Sequence, residues 1–197
     1  MIALEQDGLT LINWDTIPYL ITIPTGSADI AFYDPPYNVG KEYDGYSDNR
    51  SPEDYFEWMC EVAEECRRIS RRGILVYVGC EQRRLFEEIL PESHMIVVHK
   101  RAVGVMKGNY FLQYHVLLSE VKPVKKIPDL WNDIRLPGEG YYFREKRYEH
   151  PGLTSLYLTE RILSCFTHEG ETVLDPFVVV GSQPSPLTQA VRRLKHG

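Results

Sequence analysis

The sequence predicts an α/β domain in which a largely parallel sheet is covered by helices on both faces. Short apolar runs closed by turn residues alternate with segments of helical periodicity, and that alternation implies parallel crossover connections. Several of the strand runs are continuously apolar, as strands buried on both faces must be. The length agrees, because 197 residues at 43% hydrophobic content suit one domain with a core of ordinary size.

Residues 28–33 (Ala-Asp-Ile-Ala-Phe-Tyr) read as a short buried strand, stopped by Pro35 and Pro36. Residues 51–70 form the clearest helix. Ser51 suits the N-cap, Pro52 the first helical position, and Glu53 and Asp54 the positive end of the dipole. Tyr55, Phe56, Met59, Val62, Ala63, Cys66 and Ile69 then recur at helical spacing, which turns the acidic residues outward. Gly73 closes the element and Ile74 to Val78 follow as an apolar strand. A helix over 81–90 and a strand from Met95 to His99 make a second unit, and 110–119 reads as one further strand. Residues 120–148 read as an irregular insert rich in Pro, Gly and Lys. A helix over 152–166, a strand over 171–175 and a final helix near 187–195 complete the chain, with no internal repeat.

Charge is distributed unevenly. The formal net charge of −6 argues mildly against a polyanionic partner. Residues 1–99, however, carry 8 basic and 18 acidic side chains, whereas residues 100–147 carry 10 basic and 5 acidic. That basic segment interleaves Lys107, Lys122, Lys125 and Lys126 with Tyr110, Phe111, Tyr114 and Trp131, a composition that suits phosphate contact and base stacking. On composition alone, a solvated loop region with a few core aromatics is the simpler reading. Cys60, Cys66, Cys80 and Cys165 form no Cys-x-x-Cys pair, which argues against zinc and disulfide frameworks. No apolar run approaches bilayer length and no signal leader opens the chain, so a cytoplasmic protein without a membrane partner is expected.

The candidate chemistry lies where the first buried strand ends. Ligands of such sheets bind outside the carboxyl ends of the strands, and Asp34-Pro35-Pro36-Tyr37 occupies that place. The two prolines stiffen the loop, Asp34 offers a carboxylate, Pro35 a carbonyl, and Tyr37 a flat ring. Those parts could accept the hydrogens of an aromatic amine and stack its ring. They equally suit a rigid strand-end turn with a surface tyrosine.

Asp34-Pro35-Pro36-Tyr37-Asn38 resembles the catalytic motif of amino-group DNA methyltransferases. The resemblance extends over most of the chain. Leu11-Ile12-Asn13-Trp14-Asp15 is similar to the family's strand ending in Gly-Asp, Arg72-Gly73-Ile74-Leu75-Val76-Tyr77 to its Gly-then-apolar strand, and Asp129-Leu130-Trp131 to its Asp-x-Trp. Glu149-His150-Pro151 resembles the start of the segment preceding the cofactor strand, and Thr172-Val173-Leu174-Asp175-Pro176-Phe177 resembles that strand and its loop. The catalytic motif precedes the cofactor motif, the circularly permuted order of the β class.

The resemblance implies a Rossmann-like S-adenosylmethionine-dependent methyltransferase fold over residues 1–197, with a target-recognition insert at about 100–148. It implies methyl transfer to adenine N6 in duplex DNA, since Asp at the first motif position is commoner for adenine than for cytosine N4. Asp34, Pro35, Pro36 and Tyr37 become the catalytic residues. Asp15, His150, Pro151, Asp175, Pro176, Phe177, Gly181 and Ser182 become cofactor contacts, and Lys107, Lys122, Lys125 and Lys126 DNA contacts. No metal is implied. A homodimer and a restriction endonuclease of the same system are the further partners that the resemblance allows.

The cofactor side departs from the pattern. Val178-Val179-Val180-Gly181-Ser182 replaces Gly-x-Gly, Thr154-Ser155 replaces Lys-Pro, and Val116 replaces the Glu expected after His115. The chain also stops at Gly197, before a strand whose acidic end would hold the cofactor ribose, so a C-terminally truncated or divergent member is expected. The competing readings are a catalytically impaired relic that binds DNA or a partner, and a cytosine-N4 methyltransferase.

Overall fold

The computed structural model describes residues 2–6, 9–40, 42–43, 46–47, 49–99, 105–134, 156–177 and 188–193. The chain opens with β1 (Ile2–Gln6), β2 (Leu9–Asn13) and the short α1 (Thr16–Leu20), followed by β3 (Ile30–Tyr33). A two-residue ribbon, β4 (Glu42–Tyr43) and β5 (Tyr46–Ser47), precedes the long α2 (Pro52–Ile69). Then come β6 (Ile74–Gly79), α3 (Arg83–Ile89), β7 (His94–His99), β8 (Val105–Lys107), β9 (Tyr110–Leu112) and β10 (Tyr114–Ser119). The last elements are β11 (Leu130–Trp131), α4 (Leu156–Phe166), β12 (Thr172–Asp175) and β13 (Thr188–Arg193).

Among the described residues, nine strands form one sheet in the order β1-β2-β13-β12-β3-β6-β10-β7-β11. Six run the same way, and β1, β10 and β13 run against them. The two motif-bearing strands, β3 and β12, are far apart in the chain yet are parallel neighbours, with Leu174 opposite Ala31. The alternation of side chains divides the core. Ala31, Tyr33, Ile74, Val76, Val78, Val116 and Leu118 face α2, α3 and Leu20 of α1. Ile30, Phe32, Leu75, Tyr77 and Leu117 face Leu158, Ile162, Leu163 and Phe166 of α4. Both sheet faces are therefore covered, which explains why Ile74 to Val78 read as one unbroken apolar run.

Local chemistry sets α2 as expected. The Ser51 hydroxyl accepts the Asp54 amide hydrogen at 3.0 Å, with Pro52 next in line. Trp58 joins the buried stripe, while Phe56 is only partly covered. At the other end, Arg67 donates two hydrogen bonds to Glu120 Oε1, at 2.6 and 3.0 Å, and one to the Ile89 carbonyl at 2.9 Å, tying α2 to β10 and α3. Gly73 adopts φ 111° and sits 3.3 Å, measured from an added Cβ, from the Glu120 side chain, so the turn into β6 favours glycine there.

Three sequence expectations change. The final helix near 187–195 is instead the strand β13, antiparallel to both β12 and β2. It supplies backbone partners to the edge of β12, a demand that outweighs helical spacing. Residues 110–119 are two strands, since β9 turns back on β8 as a separate ribbon and only β10 joins the main sheet. The 120–148 insert, within its described part, contributes β11, parallel to β7. Trp131 of β11 is fully buried, donates its indole N–H to the Pro128 carbonyl at 2.9 Å, and carries the Arg161 guanidinium 4.6 Å above its ring. Trp131→Ala is expected to cost about 3–5 kcal/mol of unfolding free energy, read as a lower midpoint in urea denaturation.

Candidate active site

Adjacent parallel strands deliver two carboxylates to one edge of the sheet. Because Leu174 pairs with Ala31, β12 releases Asp175 and β3 releases Asp34 at neighbouring carboxyl ends. Asp175 keeps some open surface, but its carboxyl is densely surrounded, and burial pushes its pKa up to about 7. The Phe177 amide, donating to Asp175 Oδ1 at 2.9 Å, works against that rise, while the negative charge of Asp34 adds to it. Near neutrality Asp175 is therefore poised between its neutral and ionised forms. A cation placed beside it would tip it to the carboxylate.

Asp34 accepts the Tyr37 hydroxyl at 2.6 Å. Burial, then the Asp34 charge, holds the Tyr37 hydroxyl far above its usual range, so it remains a neutral donor. Burial raises Tyr77 in the same way. The loop between Asp34 and Asn38 is fixed from three sides. Pro35 is buried, and the Tyr55 hydroxyl of α2 donates to the Pro36 carbonyl at 2.7 Å. Asn38 adopts φ 53°, a region that asparagine tolerates, and exchanges two hydrogen bonds with the Arg50 backbone at 3.0 and 2.8 Å. Gln82, in the turn from β6 to α3, donates to the Tyr37 carbonyl at 3.3 Å. An added Cβ at Gly79 would lie 2.9 Å from Gln82 Oε1, so the bare glycine makes room for this contact. The His115 ring of β10 lies 6.4 Å from the Tyr37 ring and 5.0 Å from that of Tyr77.

The second motif is anchored by aromatic packing. Phe177 is buried edge-on to Tyr33 at 5.7 Å and to Trp58 at 5.6 Å, and the Arg50 guanidinium covers Trp58 at 4.2 Å. Thr16 Oγ1, at the start of α1, approaches the Pro176 carbonyl at 3.5 Å. That contact brings Asp15, which is exposed, beside Asp175-Pro176-Phe177. Asp15, Asp34 to Tyr37 and Asp175 to Phe177 thus converge on one sheet edge. His150, Pro151, Gly181 and Ser182 lie outside the described residues.

The lysines do not share one location. Lys107 is exposed and paired with Glu81, in the turn that also carries Gln82. Lys122, Lys125 and Lys126 follow the far end of β10, where Glu120 pairs with Ile74 at the amino end of β6. They therefore stand at the opposite edge of the sheet from Asp34. Tyr55, Gln82 and Tyr77 were not singled out by the sequence as site residues. Helical spacing marked Tyr55 as core but could not show where its hydroxyl reaches.

The fold is the Rossmann-like fold of S-adenosylmethionine-dependent methyltransferases. The solved PvuII DNA methyltransferase (cytosine-N4-specific) shares this fold with TM-score 0.62 and 14% identity, over 84% of this chain and 72% of that one. TTHA0409 of Thermus thermophilus, complexed with S-adenosyl-L-methionine, aligns with TM-score 0.50 and 20% identity over 83% and 76%. The family model of N6/N4 methyltransferases, described as "DNA methylase", matches residues 28–117, which include Asp34 to Asn38, β6 and the start of β10. Two curated relatives share 27% identity over 87% of this chain: the DNA adenine methyltransferase YhdJ of Escherichia coli K12 and the type II methyltransferase M.HpaI of Haemophilus parainfluenzae. The type II methyltransferase M.BamHI of Bacillus amyloliquefaciens shares 26% over 85%. Over residues 28–117 the chain is similar to the N6/N4 amino-group DNA methyltransferase family, and over most of its length to these relatives. It spans 72%, 64% and 49% of the lengths of these three relatives. No helix among the described residues is long and apolar enough to cross a membrane.

Proposed function

We propose that the protein transfers a methyl group from S-adenosylmethionine to the exocyclic N6 amino group of adenine in duplex DNA. The observation that carries this reading is the pair of strand-end carboxylates, with Asp34 in a stiffened loop beside the buried, proton-poised Asp175. An adenine amine is a weak nucleophile because its lone pair is delocalised into the ring. Asp34 and the Pro35 carbonyl accept the two amine hydrogens, favour a pyramidal nitrogen and so localise the lone pair. Tyr37 stacks on the base once it leaves the duplex. Pro36 completes the loop through its carbonyl contact with Tyr55.

Asp175 fits a cationic cofactor, since an ionised carboxylate in that position needs a positive neighbour. S-adenosylmethionine supplies an electrophilic methyl carbon, which leaves sulfur as the amine nitrogen bonds to it. The methylated amine then loses its proton to water, so Asp34 need not be a strong base. Asp15, His150, Pro151, Pro176, Phe177, Gly181 and Ser182 are the further proposed cofactor contacts. Among the lysines, Lys107 stands at the proposed base-accepting edge. Lys122, Lys125 and Lys126 would have to meet a different stretch of DNA.

Asp34 and the relation to YhdJ support adenine over cytosine. The names of M.HpaI and M.BamHI support a type II restriction-modification setting. The proposal extends to a homodimer, a partner endonuclease and work in the cytoplasm. It also takes residues 1–197 as one domain whose target-recognition part falls at about 100–148. Calorimetric titration with S-adenosylmethionine tests the cofactor half of this reading. Saturable one-to-one binding is expected, and no heat at high micromolar cofactor would leave the relic reading in its place.

A further inference from the structure

Beyond Lys107, the ribbon made by β8 and β9 has no role so far, and its surface is unusual. Tyr110 is 77% exposed and Phe111 54% exposed, so two large rings that folding normally buries stand in solvent. Gly108, at φ 59°, belongs to the tight turn that lifts them away from the main sheet. Lys107 and Tyr110 are cross-strand partners, so their side chains leave the same face of the ribbon. That face has a known direction. Lys107 reaches Glu81, and the adjacent Gln82 holds the Tyr37 carbonyl. Tyr110 therefore shares a face with a cation that reaches the β6–α3 turn, the same turn whose Gln82 contacts the Tyr37 loop. Phe111 pairs with Met106 and leaves the opposite face.

We infer that the Lys107–Tyr110 face of this ribbon is a duplex-DNA wedge: Tyr110 fills the gap left in the base stack when the target base moves onto Tyr37. The inference rests on the DNA reading above and deepens it. A base removed from a duplex leaves two unstacked neighbours, and a flat, partly apolar ring inserted between them restores the lost stacking. Lys107 exchanges Glu81 for a flanking phosphate as the duplex arrives. Because that ion pair is exposed, breaking it costs little. The ring must be solvent-exposed before DNA binds, which accounts for an otherwise unfavourable position.

The test compares two duplexes, both carrying the site mapped on plasmid DNA methylated by the wild-type protein. In one the target adenine is paired with thymine, and in the other it faces an abasic position and is already unpaired. Tyr110→Ala is expected to lower kcat/KM on the paired duplex by about 10- to 100-fold, and on the abasic duplex by no more than about twofold. Tyr110→Phe, which keeps the ring, should restore most of the activity, and Phe111→Ala should leave both substrates nearly unchanged. Equal losses on both duplexes, or no loss on either, would overturn the wedge. Should the wild-type protein bind cofactor yet methylate no DNA, the functional reading fails instead, and the wedge with it. Exposed positions tolerate such changes, and an unaltered thermal midpoint in each variant verifies this.

Discussion

Asp34→Ala will reduce methyl transfer by about 10²- to 10³-fold, the range expected when a preorganised hydrogen-bond partner of the transition state is removed. It should leave affinity for S-adenosylmethionine within about threefold, a margin well under the tenfold step of 1.4 kcal/mol. The split follows from geometry. Asp34 opens the loop that carries Tyr37, whereas the proposed cofactor contacts cluster on Asp15 and on the turn after β12. The substitution also removes the acceptor of the Tyr37 hydroxyl, which sits at 2.6 Å, so part of the loss will come from a looser ring. Asp34→Asn separates the two contributions. An amide can still accept from Tyr37 but cannot present a charged acceptor to an amine, so the variant should remain nearly as inactive as alanine. Removing the Asp34 charge relieves its repulsion of Asp175, whose pKa should therefore fall. The pH dependence of cofactor binding would move to lower pH with it.

Asp175→Asn should make the protein more stable and a poorer cofactor binder at the same time. The folded-state pKa of Asp175 is raised, mainly by burial, from the ordinary 3.8 to about 7. The folded state therefore holds the proton more tightly than the unfolded chain, and this group's contribution to stability declines as pH rises from about 4 to about 7. Above that window its carboxylate is charged in both states, and the full burial penalty remains. Asparagine removes the charge and keeps an acceptor for the Phe177 amide. A gain on the order of 2–4 kcal/mol is expected at pH 8, shrinking toward acidic pH, and thermal denaturation as a function of pH will show it. Affinity for S-adenosylmethionine should fall by about 10- to 100-fold, as when a hydrogen bond to a charged group is lost. Wild-type binding should tighten as pH rises to about 7 and then level off, a slope that the variant lacks. Opposite signs for stability and affinity mark a site kept for function rather than for folding.

The parts of the fold that sequence reveals are those set by local chemistry. The cap and stripe of α2 and the unbroken apolar run of β6 each report their own surroundings, and both elements appear within a residue or two of expectation. The motif Asp34-Pro35-Pro36-Tyr37 is legible because its prolines fix the loop without tertiary help. What remained hidden depends on distant partners. The spacing of Leu187, Val191 and Leu194 suits a helix, but the strand beside β12 won because that edge needs backbone partners. Gly108-Asn109 is the turn that folds β9 back on β8, whereas the break between β9 and β10 falls at Gln113, which carries no turn signal. Charge density could not reveal that Lys107 and the lysines after Glu120 stand at opposite ends of the sheet, since only the antiparallel course of β10 sets that. The hydroxyl of Tyr55 and the amide of Gln82 reach the loop only after α2 and α3 have docked.

The most direct test is to incubate the protein and its Asp34→Ala variant with plasmid DNA and methyl-labelled S-adenosylmethionine, then digest the DNA to nucleosides and separate them. Label in N6-methyl-2′-deoxyadenosine from the wild-type reaction and none from the variant is the predicted result. Label confined to cytosine, equal label from both proteins, or no label from a wild-type protein that binds the cofactor would contradict the assignment.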